Sequence, residues 1–194
     1  KSCPFAIKSY LMSSETFLHD SEDPSSQLKA IKNATEIQGS RLAHTKDGIA
    51  MVKFLYWLSK NKKNNLDEIS IITSLAKFRR KGKNYQGNSF DTICGTGPNA
   101  AIIHYKASYK TNRVPKNKDL LLIDSGGQYL EGTTDITRTI AIGKTSSKKK
   151  RHFTLVLKGM IAISRLMSPL CLSVTDSATI ARTPLWPERL DYYH

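Results

Sequence analysis

The run Leu120-Leu121-Leu122-Ile123 is continuously apolar and ends abruptly on Asp124, and a second aspartate, Asp135, follows eleven residues later across a glycine-rich bend through Gly126, Gly127 and Gly132. A short apolar run closed by turn signals reads as a buried strand. Beyond the bend, Ile136, Arg138, Ile140 and Ile142 alternate with Asp135, Thr137, Thr139 and Ala141, which predicts a second strand over Thr134–Ile142. A carboxylate at the end of an apolar strand is costly unless it is paired or solvated. Facing each other across an antiparallel ladder, Asp124 and Asp135 would offer hard oxygen donors to a divalent cation such as Mn²⁺ or Mg²⁺. Solvation at a turn or sheet edge is the competing account.

Helical patterns flank this block. Asn33-Ala34-Thr35-Glu36 has the capping-box spacing, in which side chains at both ends satisfy helix-start N–H groups. Met51, Phe54, Leu55 and Leu58 then recur at helical spacing and, with Trp57, predict a broad buried face. Asn65-Leu66-Asp67-Glu68 repeats the capping logic before a stripe of Ile69, Ile72, Leu75 or Ala76, and Phe78, with Gly82 as the stop. Phe90–Cys94 reads as a strand leading into the Gly95-Thr96-Gly97-Pro98 turn, and Ala101–Tyr105 as an extended continuation. A further helix is predicted from Ser146 or Ser147, carrying Phe153, Val156, Leu157, Met160 and Ile163 inward and stopped by Pro169. A short helix over Asp176–Arg182 ends before Pro184. Residues 1–32 mix Ser, Pro and acidic groups and read as a linker or the tail of a preceding domain. Helices on either side of a block of strands predict an α+β fold.

Thirty Lys and Arg against 16 Asp and Glu give the 194-residue chain a net charge of +14. The excess gathers at Lys77, Arg79, Arg80, Lys81 and Lys83, and again at Lys148–Arg151. Phe78 alone falls within these runs, and it belongs to the apolar stripe of its helix, so neither run has the series of aromatic rings that stack single-stranded bases. The clusters are read as solvated helix faces, with no specific nucleic-acid partner expected. A mean hydropathy of −0.38 and apolar stretches much shorter than about 20 residues exclude a helical membrane span. Cys3, Cys94 and Cys171 are isolated and odd in number, so no disulfide framework or zinc knuckle is expected and a reducing cytoplasm is the simplest compartment.

Two other motifs are weaker. Asp124-Ser125-Gly126-Gly127 looks like the run around the nucleophile of trypsin-like proteases, but that setting is all-β and disulfide-bonded, whereas His44 falls in a capped helix here. Gly95-Thr96-Gly97 lacks the spacing of a phosphate-binding loop and reads as a tight turn. His104, within an apolar stretch beside Tyr105, reads on its own more readily as a satisfied core residue than as a functional one.

Five stretches in one order resemble the catalytic domain of Xaa-Pro aminopeptidases, the pita-bread metallopeptidases: LKAIKNATEIQGSRLAHTKDGIAMVKFLYWL (28–58), SFDTICGTGPNAAIIHY (89–105), LLLIDSGGQYLEGTTDITRTIAIG (120–143), HFTLVLKGMIAIS (152–164) and ARTPLWPERLDYYH (181–194). The resemblance implies a pita-bread domain over residues 33–194, incomplete at its C-terminus, and hydrolysis of the peptide bond before a proline at the second position. It also implies two divalent metal ions, with Mn²⁺ expected, held by two Asp, one His and two Glu. Asp124 and Asp135 match the two aspartates. His104 matches the histidine that lines the substrate pocket, and His194 the first histidine of an H-G-T-G-H-G segment that contacts substrate and assists proton movement.

The chain departs from that pattern in ending on His194, so three of the five expected metal ligands are absent from these 194 residues. Leu166–Ser177 also lacks the glycine of the family's turn, and Met160 stands where relatives often carry His. Met160 touches no recognised catalytic role, while the missing end and the glycine-free stretch lead to the expectation of a fragment or a truncated copy that is inactive on its own. A non-catalytic pita-bread module that binds peptides or proteins is the alternative, and homodimerisation is left open.

Overall fold

The computed structural model describes residues 3–14, 16–19, 21, 23–61, 66–167 and 173–192, and the side chain of Gln27 is not among what it describes. Among these described residues, six helices and five strands follow in the order α1 (Phe5–Ser13), α2 (Pro24–Ala30), α3 (Ala34–Asn61), α4 (Glu68–Arg80), β1 (Tyr85–Asn88), β2 (Ile93–Thr96), β3 (Leu120–Ser125), β4 (Gly127–Tyr129), β5 (Ile136–Ala141), α5 (Ser147–Ser164) and α6 (Val174–Arg182), with short 3-10 turns at Gly97–Ala101 and Trp186–Glu188. The α+β expectation holds.

The α3 capping box forms as its spacing predicts: the Asn33 amide donates to Glu36 Oε2 at 2.9 Å, and the Glu36 amide to Asn33 Oδ1 at 2.9 Å. Asp67 caps α4 by accepting from the Ser70 amide at 2.7 Å; Asn65, the other residue in that expectation, lies outside the described residues. The inner stripe of α4 differs from the apolar pattern. Glu68, Ile71, Leu75 and Arg79 are buried, so two charged side chains occupy the inner face and Ile69, Ile72 and Phe78 are only partly covered.

Strands β2, β3 and β5 form an antiparallel sheet in that order, and β1 pairs with β4 beside it. Along β3, Leu121, Ile123 and Ser125 face inward, while Leu120, Leu122 and Asp124 keep partial solvent access. Met51, Phe54 and Leu58 of α3, Ile71 and Leu75 of α4, and Cys94, Leu121, Ile123 and Ile142 from the sheet side make one core. Each fully buried aliphatic side chain there contributes about 1.5–3 kcal/mol. Burial pushes the Cys94 thiol well above its usual range, which keeps it protonated and inert.

Three further expectations are corrected. Ala101–Tyr105 is not extended: Pro98 opens a 3-10 turn, Gly97 takes φ 56° and His104 sits in a following turn at φ 52°. The side chains of Phe153, Val156, Leu157, Met160 and Ile163 on α5 are exposed rather than inward, because α5 packs through Leu155 and Gly159 against α6. A Cβ on Gly159 would come within 2.1 Å of the Ala181 carbonyl, so that contact is close at the backbone. Finally, Arg79 is not on a solvated face but fully buried. Residues 1–32, read as a linker or the tail of a preceding domain, contain α1 and α2, and no residue of α1 is buried. Pro169, the expected stop of α5, lies outside the described residues, as does Cys171; α5 ends at Ser164.

Candidate metal centre

In the β3–β5 ladder Asp124 is paired with Thr137 and Ser125 with Ile136. Side chains two residues apart share a face of a strand, so Asp135 stands on the same face as Thr137, diagonal to Asp124. The two carboxylates meet there. Partial burial comes first, and the charge of Asp124 and a hydrogen bond to it add to it; together they raise the Asp135 carboxyl above the ordinary carboxylate range. Thr137 Oγ1 donates to Asp124 Oδ1 at 2.7 Å and fixes that carboxylate's orientation. Two acidic groups pressed together on a half-exposed sheet face match the donor chemistry of a hard divalent cation, whose charge removes the repulsion between them. Among the described residues, no group of three or more His, Cys, Asp and Glu side chains is arranged to hold a metal ion, so the pair stands without His104.

His104 is exposed on its turn rather than buried in a strand. The neighbouring Tyr105 is buried, and its hydroxyl donates to Glu68 Oε2 at 2.8 Å. Glu68, fully buried at the start of α4, also accepts from the Thr96 amide at 2.8 Å, Asn99 Nδ2 at 3.0 Å and the Arg113 amide at 3.2 Å. A helix N-terminus and four donors stabilise a buried carboxylate without a cation. The segment carrying His104 is thereby tied to α4 on both sides of the histidine. His194 lies outside the described residues. Ser125 is fully buried with its hydroxyl facing no protein partner, and His44 is exposed on α3 with Nδ1 2.8 Å from the Ser40 carbonyl, so no serine-nucleophile arrangement forms.

A second buried carboxylate, Asp47 of α3, lies behind the aspartate pair. Arg79 Nε and a terminal guanidinium nitrogen donate to its two oxygens at 2.7 and 3.0 Å, with both side chains fully buried. Tyr129 Oη adds a donor at 2.9 Å and Thr134 Oγ1 another at 3.0 Å. Burial and the Asp47 carboxylate push the Tyr129 phenol up. Neither Asp47 nor Glu68 appears among the chemistry-bearing residues of the sequence reading. The signal was there: Asp47 lies four residues before Met51 and seven before Phe54, on the stripe that helical spacing turns inward.

Comparison with known proteins follows the same lines. The chain is 47% identical over 174 residues to a probable Xaa-Pro aminopeptidase P of Paracoccidioides brasiliensis (strain Pb03), covering 88% of this chain and 28% of the relative. A probable Xaa-Pro aminopeptidase P of Paracoccidioides lutzii is 43% identical over 189 residues, covering 96% and 31%. The chain thus spans less than a third of the length of these curated relatives. Among solved structures, the X-prolyl aminopeptidase of Caenorhabditis elegans, described as a cytosolic enzyme with a di-nuclear active site, superposes with a TM-score of 0.83 at 36% identity, covering 89% of this chain and 28% of that one. The X-Pro aminopeptidase of Thermotoga maritima shares the fold at a TM-score of 0.81 and 22% identity, over 95% of this chain and 50% of its own. The architecture is that of the pita-bread proteins. Metallopeptidase family M24 matches residues 38–194, a span that includes both aspartates and the helices that support them, and the chain belongs to that family.

Proposed function

We propose that this chain supplies part of the catalytic domain of a metal-dependent aminopeptidase that cleaves the N-terminal Xaa-Pro bond. The observation that carries the reading is the meeting of Asp124 and Asp135 on one sheet face in a member of a metallopeptidase family. Asp124 and Asp135 would hold the divalent ions, with Mn²⁺ as the expected metal. When bound, such ions polarise the scissile carbonyl and acidify a water. Within this chain, Thr137 keeps Asp124 oriented, and Asp135 must give up a proton held more tightly than usual before it can ligate. His104, solvent-accessible and anchored through Tyr105, is placed in the role of a substrate-side histidine that steadies developing charge, with His194 assisting proton movement.

Peptides with proline at the second position are the expected substrates, and the cytoplasm the expected compartment. Among the described residues no helix is long and apolar enough to cross a membrane. Residues 1–32 are read as leading into the domain that starts near Asn33. With two of the family's five ligands, the 194-residue polypeptide alone is expected to show no turnover. Joined to the C-terminal ligand segment of an M24 relative, it should hydrolyse a fluorogenic Xaa-Pro peptide in the presence of Mn²⁺, and both EDTA and Asp124→Ala should abolish that activity. Turnover indifferent to chelator or to Asp124→Ala overturns the reading.

A further inference from the structure

We propose that Asp47 is a positioning residue for Asp135 and acts through the hydroxyl of Thr134. This inference rests on the reading of Asp135 as a metal ligand. Once both are ionised, as metal binding requires, the two carboxylates repel each other until a cation lies between them, so a site poised for metal needs some other part of the fold to hold them together. Thr134, next to Asp135 in the chain, is fixed at four points. Its amide donates to the Gly127 carbonyl at 2.9 Å, its carbonyl accepts from Ser89 Oγ at 3.0 Å, and its Oγ1 accepts from the Gly127 amide at 2.9 Å while donating to Asp47 Oδ2 at 3.0 Å. On the other side of Asp135, Ile136 enters the β5 ladder opposite Ser125. Asp135 is therefore held between a clamp and a strand register.

The clamp has a rigid base. Arg79 holds the plane of the Asp47 carboxylate from α4 with two hydrogen bonds, and Tyr129 occupies Oδ1, leaving Oδ2 to Thr134. Geometry of this kind behind a ligand usually matters 10–100-fold for metal affinity. Its two arms differ in a way that permits a test: Tyr129 and Thr134 each donate one hydrogen bond to Asp47, but only Thr134 is adjacent to Asp135.

Replacing Asp47 itself would strand the Arg79 guanidinium in the core and risks an unfolded chain, so the variants are Thr134→Val, Thr134→Ser and Tyr129→Phe in the 194-residue chain. Mn²⁺ alone is titrated and the free aquo ion followed by electron paramagnetic resonance. Thr134→Val should weaken the Mn²⁺ dissociation constant by about tenfold or more, Thr134→Ser should restore it, and Tyr129→Phe should leave it near wild type even where its melting temperature falls as far as that of Thr134→Val. Equal Mn²⁺ affinity in Thr134→Val and wild type overturns the proposal, as does equal weakening by Tyr129→Phe. Should wild type bind no Mn²⁺, two ligands are too few to retain the ion, and amide exchange in the metal-free chain decides the positioning: Thr134→Val must speed exchange at Asp135 and Ile136 beyond the effect of Tyr129→Phe, and matching rates sink it.

Discussion

Gly126 shows how closely the glycine-rich bend is built. A Cβ there would fall 2.0 Å from the Thr134 carbonyl oxygen and 2.1 Å from Ser89 Oγ, so Gly126→Ala must separate the bend from Thr134 and Ser89. The expected cost is about 3 kcal/mol or more, the size that marks strain in a packed site, measured by urea denaturation. Two aspartates give opposite pH responses. Asp67 has its carboxyl lowered, first by the Ser70 hydrogen bond, so its contribution is present above the unfolded value of about 3.9 and is lost as pH falls through the lower folded value. Asp135 is raised, chiefly by partial burial, so the folded chain keeps its proton longer than the unfolded chain does, and stability declines as pH rises from about 3.9 through the raised value. Asp135→Asn should therefore remove a stability loss toward neutral pH in the metal-free chain, and Asp67→Asn a loss toward acid, each read from denaturation midpoints between acid and neutral pH. Mn²⁺ binding should strengthen over the same rise in pH, since the metal and the proton compete for Asp135.

The long helix α3 is the platform on which the bend rests. Gly39 lets the Glu131 backbone approach until a Cβ would meet its carbonyl oxygen at 2.3 Å, Gly132 sits on Ser40, and Lys46 and Asn84 both donate to Glu131 Oε1 at 2.5 Å. Directly after Lys46, the helix presents Asp47 to Thr134. Helix α4 does for the His104 segment what α3 does for Asp135: Glu68 at its first turn gathers Thr96, Asn99, Tyr105 and Arg113. Tyr105→Phe removes one donor from this buried carboxylate and is expected to cost about 1–3 kcal/mol, with faster amide exchange over residues 102–113. Glu68→Ala, which strips every acceptor at once, should be far more damaging. A melting temperature for Tyr105→Phe equal to that of wild type would show that the hydroxyl contributes nothing to holding the turn.

In the molecule as a whole, the core lies between the α3–α4 pair and the three-stranded sheet, while α5 and α6 pack chiefly on each other. Phe153, Val156, Met160 and Ile161 are each 43–53% exposed along α5. Contiguous apolar surface of this kind favours association, so the 194-residue chain should enhance the fluorescence of an apolar dye such as ANS, and a Val156→Lys, Met160→Lys double variant should reduce that signal without lowering the melting temperature. The net charge of +14 is spread largely over solvated lysines, and among the described residues Arg79 is the buried exception. The order of α3, α4, β2, β3, β5, α5 and α6, the α3 capping box, the buried strand that reaches Asp124 and the aspartate spacing were legible in the linear chain, because caps, periodicities and glycine bends are local properties of a few neighbouring residues, whereas the short β1 and β4 carry no such signal. The sequence pattern also singled out Asp124 and Asp135 as a pair. Left to the tertiary structure were the rotation of α4 that turns Glu68 and Arg79 inward, the turn that replaces the expected extended segment at His104, the exposed face of α5, and the buried Asp47 behind Thr134. The buried charges depend on partners 28 to 87 residues away, as with Glu68 to Thr96 or Asp47 to Thr134, and the face of α5 depends on its backbone contact with Ala181 of α6. A charge on a buried stripe is stable only when such distant donors converge on it, and no local pattern records whether they do.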